Sequence, residues 1–394
     1  MISSMDGGGS ERQTLLILRH LRRDQFSPEL FVLRRGGSLY SQIPSDVPVH
    51  CFADSTTPSR WHIPGLRLPG GIHRDQVAFV KSLLRERQID VVYDRTFHMT
   101  LIAGPAVRAA GVPRVSTIVS PPSHAVPQNA GRFLSLKKRQ LARYYAEAAQ
   151  TIAVSAPTAQ DARLYYHLKP HKIITLPNPV DADSLDAAVA IVTAPDRDDR
   201  YTLVCVGRMT KEKGHACLIA AFGFLKREYP DFPLPRIWMV GDGPLRGSLE
   251  QQSLAIGVRD CIDFIGHVAQ PAPWIAAADA LCLPSTFEGF PNVMLEAMAL
   301  GTPVIASNLP VVRSLGRLDP RWDRRGRDYV AIYQVNDPLH LAKKIRRLWL
   351  NATATYSRKQ SAKRLARETL CPQNIVPRLE AIMLKHSPKH RQGK

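Results

Sequence analysis

The chain has 394 residues, 44% of them apolar, and a formal net charge of +19. This length favours two domains with sizeable cores over one. No apolar run approaches the roughly 20 residues that span a bilayer, and six scattered cysteines without a C-x-x-C pair argue against structural zinc. Met1 to Ser10 lacks the apolar core of a signal peptide, which places the protein in the cytosol or peripherally at the inner face of a membrane. The positive charge predicts attraction to polyanions: phosphate-bearing ligands, nucleic acid or anionic lipid.

The first segment, Ile2 to Met5, reads as the tail of a strand running into the glycine loop Gly7-Gly-Gly-Ser-Glu11. A helix with Leu15, Leu16, Leu18 and Leu21 follows, then short strands at Leu30–Leu33 and Val49–Phe52. His73 to Arg87 is an amphipathic helix. Asp90–Tyr93 is a strand, followed by a helix to Ala110 that stops at Gly111 and Pro113. The strand Val115–Val119 ends in Ser120-Pro-Pro-Ser-His124. A long helix spans Gly131 to Gln150, and Lys137, Lys138, Arg139 and Arg143 beside Phe133, Leu134, Leu136 and Leu141 make it basic and amphipathic. Strand Thr151–Val154, a helix after Pro157 and strand Ile173–Leu176 close this half.

After Asn178-Pro-Val-Asp181 the pattern loosens into a charged linker, Ala194 to Arg200. It restarts with strand Leu203–Val206, helix His215–Tyr229, strand Ile237–Val240, helix Leu245–Ile256 and strand Ile262–Ile265. A short helix near Trp274 leads to strand Ala280–Pro284, a helix opening near Pro291 and ending at Gly301, and strand Val304–Ile305. Tyr329–Tyr333 and helix Pro338–Asn351 follow, then a tail helical at first and basic at its end, Lys385 to Lys394. Alternating strands and helices, with strands too apolar to have a wet face, indicate an α/β chain with parallel sheets covered on both sides. Two series joined near residue 181 give two Rossmann-like domains facing a cleft: 1–180, 181–355, and a final helical segment 356–394 packing back on the first. In such sheets ligands bind outside the carboxyl ends of the strands.

The most informative turn is Glu288-Gly-Phe-Pro-Asn292, with a second carboxylate, Glu296, two helical turns on. Pro291 suits a first helical turn, where its missing N–H is no loss. The helix start offers N–H groups and partial positive charge to an anion through Gly289, Phe290, Pro291 and Asn292.

Three patterns now coincide: Val206-Gly-Arg-Met-Thr-Lys-Glu-Lys-Gly214, Val240-Gly-Asp-Gly-Pro-Leu245, and Pro284 to Ala299 with its E-x7-E spacing. They resemble the retaining GT-B glycosyltransferases of family 4, also called glycosyl transferases group 1. Asn178-Pro-Val-Asp181 is similar to that family's domain junction. The resemblance implies a nucleotide-diphosphate sugar as donor, held mainly by the second domain, with no cofactor and no metal. It makes Arg208 and Lys213 the diphosphate cations, Glu288 the partner of donor-sugar hydroxyls, and Glu296 the ribose acceptor. Gly207, Gly241, Gly266 and Val268 would line the nucleotide, and Gly8 and Gly9 would complete the donor site from the first domain. Retention would follow from same-face attack, with the departing phosphate taking the acceptor's proton.

The first half departs from that pattern. The family's histidine after the strand at Val115–Val119 is replaced by Val-Ser-Pro-Pro, which leaves His98 and His124 as candidates near the reaction centre. The first strand is short, and the expectation is that it is truncated at Met1. The resemblance and the charge together suggest a hydroxyl acceptor, lipid-linked or soluble, in glycolipid or cell-surface polysaccharide synthesis, reached from an anionic membrane surface. A glycoside hydrolase would also use two carboxylates, but theirs would not share one turn-helix unit beside a diphosphate cradle. A sugar phosphorylase or an inactive paralogue would keep the fold. A nucleic-acid binder would explain the charge, yet no finger, RNP or helix-turn-helix pattern supports it. The D-x-D strings Asp181-Ala-Asp183 and Asp196-Arg-Asp198 do not close apolar strands as a metal site would.

Overall fold

Apolar runs bounded by proline, glycine and charge become parallel strands in both halves of the chain. The computed structural model describes residues 1–55, 62–63, 66–67, 70–129, 131, 133–192, 195, 197–318 and 329–388. The chain divides into two compact units: Met1–Pro179 with the chain from Pro372 onward, and Val180–Cys371. Asp196, part of the charged linker and the tail's last residues, 389–394, lie outside the described residues.

The first unit runs α1 (Gly9–His20), β1 (Leu30–Val32), β2 (Val49–Cys51), β3 (His62–Ile63), β4 (Leu66–Arg67), α2 (Gly71–Glu86) and β5 (Val92–Arg95). It continues α3 (Phe97–Ala110), β6 (Arg114–Ile118), α4 (Pro122–Asn129), α5 (Leu134–Glu147), β7 (Gln150–Ala153), α6 (Ala156–Tyr166) and β8 (Ile173–Thr175). Strands β5-β6-β7-β8 form one parallel sheet, β1-β2 a separate parallel pair, and β3-β4 a short antiparallel pair. Alternate residues of β1 enter different cores. Leu30 and Val32 pack with Leu15 and Leu18 of α1, whereas Phe31 packs with Val80 and Leu84 of α2. Ile2 to Met5 are not a full strand but run beside β1: Ile2 N–H donates to the Phe31 carbonyl and Leu33 N–H to the Ser3 carbonyl.

Strand β5 lies two residues later than the sequence suggested, because charge at its end is buried rather than solvated. Asp94 and Arg114 are 0% and 3% exposed and 3.3 Å apart. Asp94 also accepts from Thr100 Oγ1 at 2.6 Å and Ser116 Oγ at 2.5 Å. The buried Asp94 and Arg114 charges inside the sheet are thus partnered, which is the condition for their being there, whereas the buried Arg95 Nε has no hydrogen-bond partner among the described residues. Arg95 Nη2 donates to Asn178 Oδ1 at 3.0 Å, and Gln13 Nε2 to the Pro179 carbonyl at 2.9 Å, so the junction motif is tied to β5 and α1.

Two corrections belong to this unit. The Ser120–His124 stretch, expected only as the end of the strand before it, opens α4: Pro122 takes the first position, where no N–H is required, and Asp161 accepts from both N–H and Oγ of Ser123. The long helix Gly131–Gln150 is shorter, Leu134–Glu147, since Phe133 at φ +65° breaks the helical path before it.

The second unit opens with α7 (Ala182–Ile191), where the sequence showed only loosening. Asp181 caps it through Oδ1 on the Ser184 N–H at 3.1 Å. Then come β9 (Thr202–Val206), α8 (His215–Glu228), β10 (Arg236–Val240), α9 (Arg246–Ile256), β11 (Ile262–Gly266), α10 (Ala272–Ala277) and β12 (Ala280–Leu283). The unit closes with α11 (Asn292–Leu300), β13 (Val304–Ser307), α12 (Pro310–Arg313), β14 (Ala331–Tyr333), α13 (Pro338–Leu350) and α14 (Ala352–Arg364). Its six strands are all parallel, in the order β11-β10-β9-β12-β13-β14. The unit extends to Cys371 rather than 355, because α14 and the turn after it stay with α11: Arg367 donates to the Ala299 carbonyl at 2.7 Å and pairs with Asp186 at 2.7 Å. The last helix, α15 (Pro372–His386), belongs to the first unit. There Glu380, fully buried, accepts from the Arg22 N–H at 2.8 Å and Nε at 2.7 Å.

Candidate functional site

Chain order in the second sheet proceeds outward from β9 to β10 and β11, then restarts on the other side with β12, β13 and β14. The two directions separate between β9 and β12. Their carboxyl ends therefore flank the crevice that a doubly wound sheet offers to ligands. The loop after β9 carries Gly207, Arg208 and Lys213, and the loop after β12 carries Glu288.

Backbone contacts fix these loops against one another. Gly207 N–H donates to the Val240 carbonyl at 2.9 Å, Met209 N–H to the Asp242 carbonyl at 2.9 Å, and Thr286 N–H to the Glu212 carbonyl at 2.8 Å. Two glycines make this lacing possible. Gly214 stands at φ +68° with the Pro284 carbonyl where a Cβ would go, and Gly241 at φ +135° faces the Gly207 carbonyl in the same way. Any side chain at either position would push two loops apart. Gly266 ends β11 and accepts the Gly241 N–H at 2.7 Å, with Val268 half-buried two residues on.

On this frame Lys213 Nζ lies 2.6 Å from Glu288 Oε1, and Ser285 Oγ donates to the same oxygen at 2.8 Å. Burial opposes the Lys213 charge, but the adjacent Glu288 carboxylate outweighs it and holds the ammonium above its ordinary pKa. Arg208 is exposed and joins no ion pair among the described residues. Helix α11 begins at Asn292, so the positive end of its dipole falls at the Gly289–Asn292 turn. Pro291 sits one position earlier than the sequence suggested. It is the N-cap, at ψ 107°, and its carbonyl accepts the Met294 N–H at 3.1 Å. Glu296 is half-buried one turn into the helix.

The structure thus gathers Gly207, Arg208, Lys213, Gly241, Gly266, Val268, Glu288 to Asn292 and Glu296 in one unit. The remaining candidates belong to the other. Gly8 and Gly9 are the N-cap and first residue of α1, with the Glu11 side chain folded over Gly8. His98 is the second residue of α3, its ring 4.0 Å from that of Phe97. Loss of hydration first, and the Lys137 charge second, pull its pKa below the ordinary histidine value. His124 is exposed in the first turn of α4.

Sequence reasoning missed Ser285 and His215. A hydroxyl three residues before a loop carboxylate was the available signal for the first. For the second it was a histidine directly after a turn glycine. His215 begins α8, is 2% exposed, and neither ring nitrogen has a hydrogen-bond partner among the described residues. Burial, then the neighbouring Lys213 charge, lowers its pKa from 6.5 to about 4, against a small opposing effect of Glu212. The unfolded chain therefore takes up this proton first. The stability His215 contributes is complete above about pH 6.5 and is lost as pH falls toward 4, about 3 kcal/mol across the window. His215→Leu is expected to flatten that slope and to gain about 1 kcal/mol at neutral pH by removing unpaired polar atoms. Melting of both proteins at pH 7 and pH 4.5 checks this, and parallel declines would contradict it.

Comparison with known proteins follows the same division. The Glycosyltransferase Family 4 model matches residues 7–184, and the Glycosyl transferases group 1 model matches residues 200–351. The lipopolysaccharide core biosynthesis glycosyltransferase LpsD of Rhizobium meliloti is 34% identical over 150 residues, 38% of this chain and 39% of that protein. The GDP-mannose-dependent alpha-(1-6)-phosphatidylinositol monomannoside mannosyltransferase of Mycolicibacterium smegmatis is 30% identical over 241 residues, 58% of this chain and 60% of that one. The first curated relatives are matched over only 33–42% of their length. Among solved structures, Anabaena HepE in complex with UDP-glucose shares the fold, with a TM-score of 0.75 at 19% identity, covering 98% of this chain and 99% of that one. WaaG, a glycosyltransferase involved in lipopolysaccharide biosynthesis, gives 0.68 at 16% identity over 97% and 99%. With both units matched, the chain belongs to the GT-B glycosyltransferases of family 4 and group 1.

Proposed function

We propose that the protein transfers a glycosyl group from a nucleotide-diphosphate sugar to a hydroxyl acceptor with retention of configuration, in glycolipid or cell-surface polysaccharide synthesis. The observation that carries this reading is the convergence of Lys213, Ser285 and Glu288 at the β9 and β12 ends, beside the start of α11. As the anomeric C–O bond breaks, its electron pair moves to the diphosphate. Lys213 and Arg208 are the fixed cations for that charge, and the α11 dipole adds to them. They supply the neutralisation that a metal would otherwise provide. The acceptor oxygen bonds to the anomeric carbon on the face the phosphate leaves, and its proton passes to a phosphate oxygen. Glu288 orients the sugar through its hydroxyls, and Glu296 accepts from the ribose. Gly8, Gly9, His98 and His124 are the first unit's candidate site residues.

Relatives named for UDP-glucose complexes and for GDP-mannose support a UDP- or GDP-linked hexose. A thermal-shift panel of UDP-, GDP- and ADP-sugars tests this. A ligand at 100 times its dissociation constant adds about 2.7 kcal/mol, which is about 5–10 °C in Tm for a unit of this size. No shift with any member of the panel would refute donor binding.

The acceptor side of the reading includes reversible binding to anionic membranes. No helix among the described residues is long and apolar enough to cross a bilayer. Ile72, Phe133 and Leu136 are nevertheless 65%, 74% and 55% exposed. Burial first, and the Lys137 charge second, lower the pKa of both His73 on α2 and His98 on α3. Apolar side chains among lysines suit an anionic interface. Replacing Phe133 and Leu136 by Ser together should weaken flotation with anionic liposomes at least about tenfold. Unchanged flotation would remove the membrane from the proposal.

A further inference from the structure

Arg95 ends β5 and is 4% exposed. Its guanidinium meets only neutral acceptors: Nη1 donates to Tyr93 Oη at 2.9 Å and Nη2 to Asn178 Oδ1 at 3.0 Å. Nε is buried too, and has no hydrogen-bond partner among the described residues. A guanidinium does not shed its proton, so this is a permanent charge inside the first unit. Among the described residues no carboxylate closes on it. Asp94, which points to the other face of the strand, is committed to Arg114 at 3.3 Å. Burial raises the Glu11 pKa, and the Arg95 charge is the smallest of the influences opposing that rise. A buried ion with no opposite charge in contact is the costly case.

Beside this charge lies a cavity of about 20 Å³, walled by Tyr93, Arg95 and Thr117 of the sheet, Asn178 after β8, and Ile375 and Leu379 of α15. One water needs about 10–15 Å³, so the space admits a body of about that size and no tetrahedral oxyanion. Its polar walls offer donors and positive charge. Tyr93 Oη accepts from Arg95 Nη1 and from Thr117 Oγ1, at 2.9 Å and 3.0 Å, which uses both lone pairs and leaves its own proton to give. No carboxylate lines the cavity among the described residues. We propose that this cavity binds one halide-sized anion, chloride under cellular conditions, through Arg95 Nε–H and Tyr93 O–H. The ion would neutralise Arg95. It would also link β5 to residues 176–179 and to α15, which share the walls of the cavity.

The test melts the full-length protein in sodium chloride and in sodium gluconate at equal ionic strength, since gluconate is too large for the cavity. Chloride is expected to raise Tm by about 3 °C or more. A chain of net charge +19 attracts anions over its whole surface, so the variants carry the assignment. Arg95→Met keeps the length of the side chain without its charge and should melt alike in both salts. Tyr93→Phe removes only the hydroxyl and should raise the chloride concentration of half-effect about fivefold. Crystals of the wild-type protein grown in bromide should show an anomalous peak against Arg95 Nε. If Arg95→Met does not fold, the Tyr93→Phe titration and the bromide peak still decide. Equal wild-type melts in the two salts, a chloride effect that survives Arg95→Met or is untouched by Tyr93→Phe, or an ordered water in place of bromide would each overturn the assignment.

Discussion

Lys213→Ala is expected to lower kcat/KM for sugar transfer by about 10²–10³-fold, the loss that follows removal of one preorganised donor at a developing oxyanion. The effect should exceed that of removing a solvated charge, because the ammonium is placed by three loops laced through their backbones rather than by its own flexible chain. It should also be compound. Lys213 and Ser285 both donate to Glu288 Oε1, at 2.6 Å and 2.8 Å, so the substitution frees the carboxylate that the proposed function assigns to the sugar. Donor KM should therefore rise along with the fall in kcat. Lys213→Arg keeps the charge but not the compact point donor and should recover only part of the rate. Glu288→Gln keeps the Ser285 bond and separates the sugar contact from the ion pair. Since Glu288 holds Lys213 above its ordinary pKa, alkaline loss of rate should not begin below the usual lysine range. Activity within about threefold of wild type for Lys213→Ala would detach this lysine from the reaction.

The largest expected loss of stability comes from the other unit. Arg114→Met should cost about 3–5 kcal/mol, because it leaves the buried Asp94 carboxylate with hydroxyl donors alone. For a unit of this size that is about 10 °C in Tm, measured by calorimetry. The pair is not held by Coulomb attraction in isolation. Thr100 and Ser116 complete the shell at 2.6 Å and 2.5 Å, so neutralising both partners should hurt less than breaking one. Asp94→Asn combined with Arg114→Met should recover at least about 1 kcal/mol relative to Arg114→Met alone. A single-variant cost below about 1 kcal/mol would show that water reaches Asp94 and that the network does not govern this sheet.

Both results bear on what the residues reveal unaided. Strands β9, β10 and β12 were legible because continuous apolar runs end in glycine or proline, and the three motifs that carry the family resemblance sit at those ends. The edge of β5 was not, since Asp94 and Arg95 look like the solvated end of a strand until their partners are known. Helix α7 was hidden by composition: alanines on every face of Ala182–Ile191 leave no 3.6-residue stripe to read. Helix α4 was hidden by its prolines, one of which occupies a position that needs no donor. At the site itself the chemistry of Lys213 and Glu288 was readable separately. Their meeting was not, because they are 75 residues apart and only the sheet order brings β9 beside β12.

The clamp between Arg22 and Glu380 has a consequence for how the molecule comes into being. Val180–Cys371 is one uninterrupted stretch and has all its strands as soon as it has been synthesised. Met1–Pro179 emerges first but lacks the helix whose Glu380 receives two donors from Arg22, 358 positions earlier. On the ribosome, the half that is made first is thus finished last. A nascent chain stalled before residue 372 would carry a complete second unit and a first unit still waiting for its final helix.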